Sequence, residues 1–153
     1  MSVRENVTLP TLRRFSRYGV LQSRAEREAA SRQTVAVELR PPDVEREAAT
    51  LSGGNQQKVV LAKWLLADAD LLIFDEPTRG VDVATKAELH RLIRALADAG
   101  KAILVISSEL PEILALADRI VVMREGAVAG ELAASEATAE RVLALALPAP
   151  HAA

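Results

Sequence analysis

Two short strings hold the residues of this chain that can do chemistry. The first is Leu51-Ser52-Gly53-Gly54-Asn55-Gln56-Gln57-Lys58, in which a serine and two glycines stand directly before a helical pattern. The opening turn of a helix leaves backbone N–H groups unpaired, and the helix dipole adds partial positive charge there. Glycine lets the backbone approach a ligand closely, and the Ser52 hydroxyl adds a donor, so the string is a candidate phosphate site. The second is Leu71-Leu72-Ile73-Phe74-Asp75-Glu76-Pro77, an apolar run that delivers two adjacent acids at its carboxyl end, where open α/β sheets bind ligands. Successive strand side chains point to different sides, so the acids can divide the work. Asp75 can hold Mg²⁺, directly or through water, and Glu76 can orient or deprotonate an attacking water. Taken singly, each string also reads as a serine-capped loop or a strand running out into solvent.

The elements that must position these strings follow from periodicity. Asn55 to Ala67 patterns as a helix and Leu71 to Phe74 as a strand. Ala84 to Asp98 has Leu89, Leu92, Ile93 and Leu96 at i, i+3, i+4 and i+7, with Gly100 as its cap. Ala102 to Ile106 is a second apolar run, Pro111 to Ala117 a short helix, and Ile120 to Met123 a third run. Glu125-Gly126 turns into Val128 to Leu132, a pair short enough to be antiparallel. Ser135 is the expected cap of a final helix to about Leu147, followed by the tail PAPHAA. Runs alternating with helices predict an α/β fold with a mostly parallel sheet. Upstream, Leu9, Leu12 and Phe15 fall at helical spacing with Gly19 as the expected stop. Ser23-Arg24-Ala25-Glu26 fits a capping box for a helix running toward Leu39, and Pro41-Pro42 ends it. Three segments result: a helical part over 1–50, an α/β core over 51–132, and a helix and tail over 133–153.

Composition excludes several classes. The chain has 153 residues, half of them apolar, which suits one domain with a sizeable core. Its net charge of −2 gives no support to a strongly basic nucleic-acid binder. Nine arginines against seven acids over residues 1–50 read as a solvated helical face. With no cysteine, disulfides and thiolate chemistry are excluded, and His90 and His151 are too far apart to suggest a metal site. The N-terminus is charged where a signal peptide is apolar, and no apolar stretch reaches membrane-span length. These features point to a soluble, cytosolic chain.

Order and spacing together say more than either string. Ser-Gly-Gly heads a helix, a strand ending Asp-Glu-Pro follows it, and Thr78-Arg79-Gly80-Val81-Asp82 comes next. In this the chain resembles the nucleotide-binding domain of ABC transporters. LSGGNQQK is similar to the signature, LLIFDEP to the Walker B strand and Gly80-Val81-Asp82 to the D-loop; DEPTRGVD with ISSELPE resembles the second domain of ribose-, galactose- and xylose-type importer ATPases. The resemblance runs from Arg4-Glu5-Asn6 to about Leu132. It implies a partial P-loop NTPase fold and ATP with Mg²⁺ as cofactors. Ser52, Gly53, Gly54, Asn55 and Gln56 would contact nucleotide held by a second nucleotide-binding domain, Asp75 would hold the metal, and Glu76 and Ser108 would be catalytic. Asp82 would be the D-loop acid. The implied partners are that second domain and a membrane permease, with no nucleic acid. The implied place is the cytoplasmic face of the plasma membrane, with residues up to Thr50 facing the permease.

Two departures from that family matter. No G-x-x-x-x-G-K-[ST] phosphate loop exists here; Gly100-Lys101 comes nearest, but Ala102 stands where Ser or Thr is needed and Ala95 where the first glycine is needed. The family would place Met1-Ser2-Val3 in mid-domain, so the sequence reads as the later part of a longer domain. Ser108 stands where many ABC domains carry histidine; second domains of the sugar branch often carry serine there, and the missing donor puts hydrolysis at this half-site in doubt. Three hydrogen bonds from the signature, at roughly 1.5–3 kcal/mol each, against an association cost of about 4–15 kcal/mol, predict ATP affinity of about 1 mM or weaker for the chain alone. The leading expectation is thus the ATP-binding part of a sugar importer, inactive in isolation. A non-catalytic fragment that only pairs with an intact domain is an alternative. A chromosome or DNA-repair ATPase head is another, although such heads usually lack Pro-Thr-Arg-Gly after the acids and carry long coiled-coil insertions. Leu71 to Phe74 is expected to expose an apolar edge, and with it poor solubility or obligate pairing. Trp64 is expected in the core, His90 on a surface, Lys101 in a turn, and Arg119 paired with Asp118.

Overall fold

Helix α1 (Val3–Thr8) opens on a reciprocal capping box, with Ser2 Oγ accepting from Glu5 N and Glu5 Oε2 accepting from Ser2 N at 2.8 Å. In this computed structural model, residues 1–147 are described. They form two units, Met1–Leu104 and one beginning at Val105. His151 and the PAPHAA tail lie outside the described residues.

In the first unit α1 is followed by a 3₁₀ segment (Leu9–Phe15) and a two-residue hairpin, β1 (Ser16–Arg17) and β2 (Val20–Leu21), with Ser16 opposite Leu21. Gly19 therefore stops no helix. Tyr18 (φ 52°) and Gly19 (φ 78°) are the two left-handed positions of the hairpin turn, and Leu9 and Leu12 are exposed. Helix α2 (Ser23–Ala36) starts with one residue, Gln22, between it and the end of the hairpin at Leu21. Its expected capping box is absent: Gln22 holds the cap position, without a side-chain cap. Glu26 instead turns inward and is 1% exposed, accepting from Thr8 Oγ1 at 2.7 Å and from Arg4 at 2.5 Å. The real box at Ser2-Glu5 went unread because it precedes only one and a half turns of helix. The end of α2 also comes early. Glu38 N donates to Val35 O and Leu39 N to Thr34 O, a Schellman turn made by Glu38 at φ 53°, where glycine is usual.

Helices α1 and α2 pack on α3 (Gly53–Ala67), and their shared core includes Val3, Val7, Ala30, Val37, Leu61 and Ala62. Strand β3 (Leu71–Asp75) follows, then α4 (Val83–Asp98), which buries Leu89 and Ile93. Gly100 (φ 91°) ends α4 as predicted, with Gly100 N on Ala97 O and Lys101 N on Leu96 O. Lys101 is more than a turn residue, since its ammonium bridges Asp68 at 2.9 Å and Asp70 at 3.9 Å. Strand β4 (Ala102–Ile106) pairs with β3, entered through Ala102 N to Asp70 O at 2.9 Å. Leu72 is buried, while Leu71 and Ile73 are 55% and 60% exposed, so one face of β3 is covered and the other open. Trp64 is not a core residue. It is 46% exposed beside Val60, with Lys63 Nζ 5.2 Å over its ring.

The second unit holds α5 (Leu110–Leu116) and an antiparallel hairpin, β5 (Arg119–Arg124) and β6 (Ala127–Ala133). Glu125 and Gly126, both at positive φ, make its turn, and a bulge falls between Val122 and Met123. Arg119 pairs with Glu131 at 2.9 Å across this hairpin, where the two side chains share a face. Helix α6 (Ala139–Ala146) is capped by Thr138, whose Oγ1 accepts from Arg141 N, and not by Ser135, which lies in the 3₁₀ turn before it. The helix lies on the hairpin, where Gly130 leaves room for Leu145.

Candidate functional site

The site is built by the amino ends of α3 and α4 and the carboxyl end of β3. Ser52, with extended backbone (ψ 155°), is the cap residue of α3. Its Oγ accepts from Asn55 Nδ2 at 3.0 Å and caps no helix N–H. Asn55 Oδ1 accepts from Arg40 N at 3.0 Å, and Gln56 Nε2 donates to Leu51 O at 2.9 Å. Both amide side chains thus tie down the loops that flank the helix opening. The two glycines differ. Gly54 is buried, and a Cβ there would lie 2.3 Å from Thr85 Cγ2, so packing alone requires glycine. Gly53 is exposed, and a Cβ there would meet only Gly80 O at 3.8 Å. Packing therefore does not require glycine at position 53, and the helix opening there is left accessible.

Beyond β3 the chain makes a tight reversal. Asp75 is exposed at the strand end, and Glu76 is half-buried with φ 48°. An L-residue held in that region is uncommon and costs backbone energy, and such residues cluster at functional sites. Arg79 N donates to Glu76 O, Val81 N to Thr78 O, and Gly80 (φ 76°) completes the turn. Asp82 then caps α4, accepting Thr85 N on Oδ1 at 3.0 Å and Thr85 Oγ1 on Oδ2 at 2.8 Å. These bonds hold its carboxyl below the ordinary value of 3.8, the Thr85 backbone bond contributing most. Gln57, Trp64, Ile73, Asp75 and Pro77 line one hollow between α3, β3 and α4. Residues 52–57 and 75–82 therefore belong to one continuous βα framework. Ser108 lies in the second unit, exposed just before α5, and its neighbour Ser107 accepts Glu109 N at 3.0 Å.

The donor set suits a nucleotide that brings its own metal. The open helix end at Gly53 offers backbone N–H groups to a phosphate. Among the described residues no three His, Cys, Asp or Glu side chains are grouped to hold a metal, but Mg²⁺ with nucleotide needs only one or two carboxylates, and Asp75, exposed at the strand end, is the candidate for one. The sequence reading gave no role to Thr85, Lys58 or Glu88. Lys58 is buried and donates to Glu88 Oε2 at 2.5 Å and to Glu38 O at 3.0 Å. Thr85 carried a signal, as the third residue of a helix opened by aspartate; the Lys58–Glu88 pair spans two helices and leaves none.

Comparison with known proteins bears on this arrangement. The ABC transporter family profile matches residues 1–79. A Burkholderia cenocepacia protein named for ribose, galactose and methyl galactoside import is 53% identical over 147 residues, covering 95% of this chain and 29% of that protein. A ribose import ATP-binding protein of Streptomyces avermitilis is 51% identical over 146 residues, covering 95% and 28%. The chain thus spans under a third of the length of these relatives. The dimeric structure of a bacterial ABC transporter cassette superposes with a TM-score of 0.74 at 27% identity, over 88% of this chain and 57% of that one. An inward-facing metal-chelate type ABC transporter superposes at 0.80 with 21% identity, over 95% and 58%, a likeness of fold.

Proposed function

Because this chain belongs to the ABC transporter family, we propose that it is the signature-bearing part of a sugar importer's ATP-binding subunit. In this reading residues 1–50 face the permease on the cytoplasmic side of the membrane, 51–132 form the ATPase core, and 133–153 are an appended helix and tail. Among the described residues no helix is long and apolar enough to cross a membrane.

The chemistry follows from what each residue can offer. The N–H groups opening α3 at Gly53 and Gly54, with Ser52 Oγ, present positive potential to the phosphates of nucleotide held by a facing cassette. Asn55 and Gln56 keep that opening in shape. Asp75 is the ligand available to Mg²⁺, which when bound offsets phosphate charge. Glu76, aimed by its left-handed backbone, is the acid available to orient water. Ser108 has no ring nitrogen; its hydroxyl offers one donor and two acceptor lone pairs and cannot carry positive charge. The chain has no phosphate loop, so it completes a neighbour's site and does not turn over ATP alone. The observation that carries this reading is Gly53, a glycine that packing does not require, at the open end of a helix locked to the Asp82 turn.

Sedimentation of the chain with an intact sugar-importer cassette, with and without ATP, tests it. The glutamate matching Glu76 in that cassette is replaced by glutamine so that ATP persists. ATP-dependent association that Gly53→Glu abolishes is expected. No association, or ordinary ABC turnover by the chain alone that Glu76→Gln removes, would overturn the reading.

A further inference from the structure

The amino ends of α3 and α4 meet where no side chain larger than glycine's fits at position 54. A Cβ on Gly54 would fall 2.3 Å from Thr85 Cγ2 and 2.9 Å from its Oγ1. The same Thr85 holds both oxygens of Asp82, through its N–H at 3.0 Å and its hydroxyl at 2.8 Å. One turn further along both helices, buried Lys58 donates to Glu88, which stops the helices sliding past each other. One side chain therefore stands between the backbone that presents the signature glycines and the acid that opens α4. We propose that Thr85 is a positioning residue that makes Gly53–Gly54 and Asp82 a single rigid edge, so that engagement of nucleotide at the glycines is felt at Asp82. This rests on the reading that the chain pairs with a facing cassette. The two halves of the threonine have separate tasks. The methyl fills against Gly54, and the hydroxyl fixes the second oxygen of Asp82. Valine keeps the shape and removes only the hydroxyl, whereas serine keeps the hydroxyl and removes only the methyl.

The test measures ATP-dependent association of the full 153-residue chain with the same hydrolysis-blocked cassette, alongside thermal unfolding of the chain by itself. Thr85→Val is expected to weaken association by about tenfold, the scale of one hydrogen bond to a charged group, with its unfolding midpoint close to wild type. Thr85→Ser is expected to associate as wild type does. If wild type associates and Thr85→Val does so equally well, the inference is overturned while the pairing reading stands. If wild type does not associate, both fall. Should Thr85→Val unfold, Thr85→Ser decides: a folded serine variant that fails to associate overturns the role given to the hydroxyl, and one that associates supports it.

Discussion

At the scale of the residue, Gly53 and Gly54 are adjacent and chemically identical, yet they stand in different surroundings. Gly54→Ala drives a methyl into Thr85 and is expected to destabilise the chain by about 1–3 kcal/mol, the usual cost of overpacking. Gly53→Ala makes only an ordinary contact with Gly80 O and is expected to change stability by under about 1 kcal/mol. Thermal unfolding of the two variants checks the pair. The sequence marked both glycines, because a helix opening behind Ser-Gly-Gly is a local pattern. It could not separate them, since what distinguishes Gly54 is a threonine thirty-one positions away. The left-handed Glu76 was hidden for the same reason: no local letter announces positive φ in a glutamate. Glu38, which ends α2 in a glycine's usual place with its carbonyl held by Lys58, was hidden likewise.

At the scale of the element, charged side chains decide how helices meet. Glu26 joins α1 to α2 through Thr8 and Arg4, and Arg4 reaches on to Glu45 at 3.0 Å. The bond to Glu45, then the contacts with Glu26, hold the Arg4 guanidinium above its ordinary value. Glu26→Ala leaves buried Thr8 short of a partner while Arg4 keeps Glu45, and is expected to cost about 1–3 kcal/mol in denaturant unfolding. Glu26 had looked like a cap partner for Ser23; a buried carboxylate and a capping one share the same letter and spacing. Other carboxylates set a pH limit. Thr85 lowers Asp82, Lys58 lowers Glu88 and Lys101 lowers Asp68. Groups depressed on folding contribute fully above their unfolded values, 3.8 for Asp and 4.5 for Glu, and lose that contribution as pH falls through the folded values. Lys101, raised by Asp68, contributes below 10.5 and loses it as pH rises beyond. Urea midpoints are therefore expected to hold between about pH 6 and 9 and to decline from about pH 5 downward. Asp82→Asn and Glu88→Gln together should flatten the acid decline. Helices α3 and α4 with the Gly100 stop were legible because their apolar spacing is regular. The upstream hairpin was not: the helical spacing of Leu9, Leu12 and Phe15 matches a 3₁₀ segment that ends at Phe15, and the two-residue strands beyond it carry no alternation to announce them.

At the scale of the whole molecule, the open side of β3 governs behaviour. Leu71 and Ile73, with Trp64 and Val60 of α3, give the first unit an apolar flank in water, and the solved cassette it superposes on is matched over only 57% of its length. Leu71→Lys with Ile73→Thr is expected to reduce concentration-dependent light scattering without lowering the unfolding midpoint, since neither side chain is in the core. Unchanged scattering would place the sticky surface elsewhere. The sequence led to the expectation of an exposed strand edge; what the structure leaves open is the face of β3 that carries Leu71 and Ile73. A strand clothed on one side only also ties abundance to assembly. Copies made in excess of whatever clothes the other side would be the copies that chaperones retain and proteases remove, so the steady amount of this protein in a cell would follow its complement and not its own rate of synthesis.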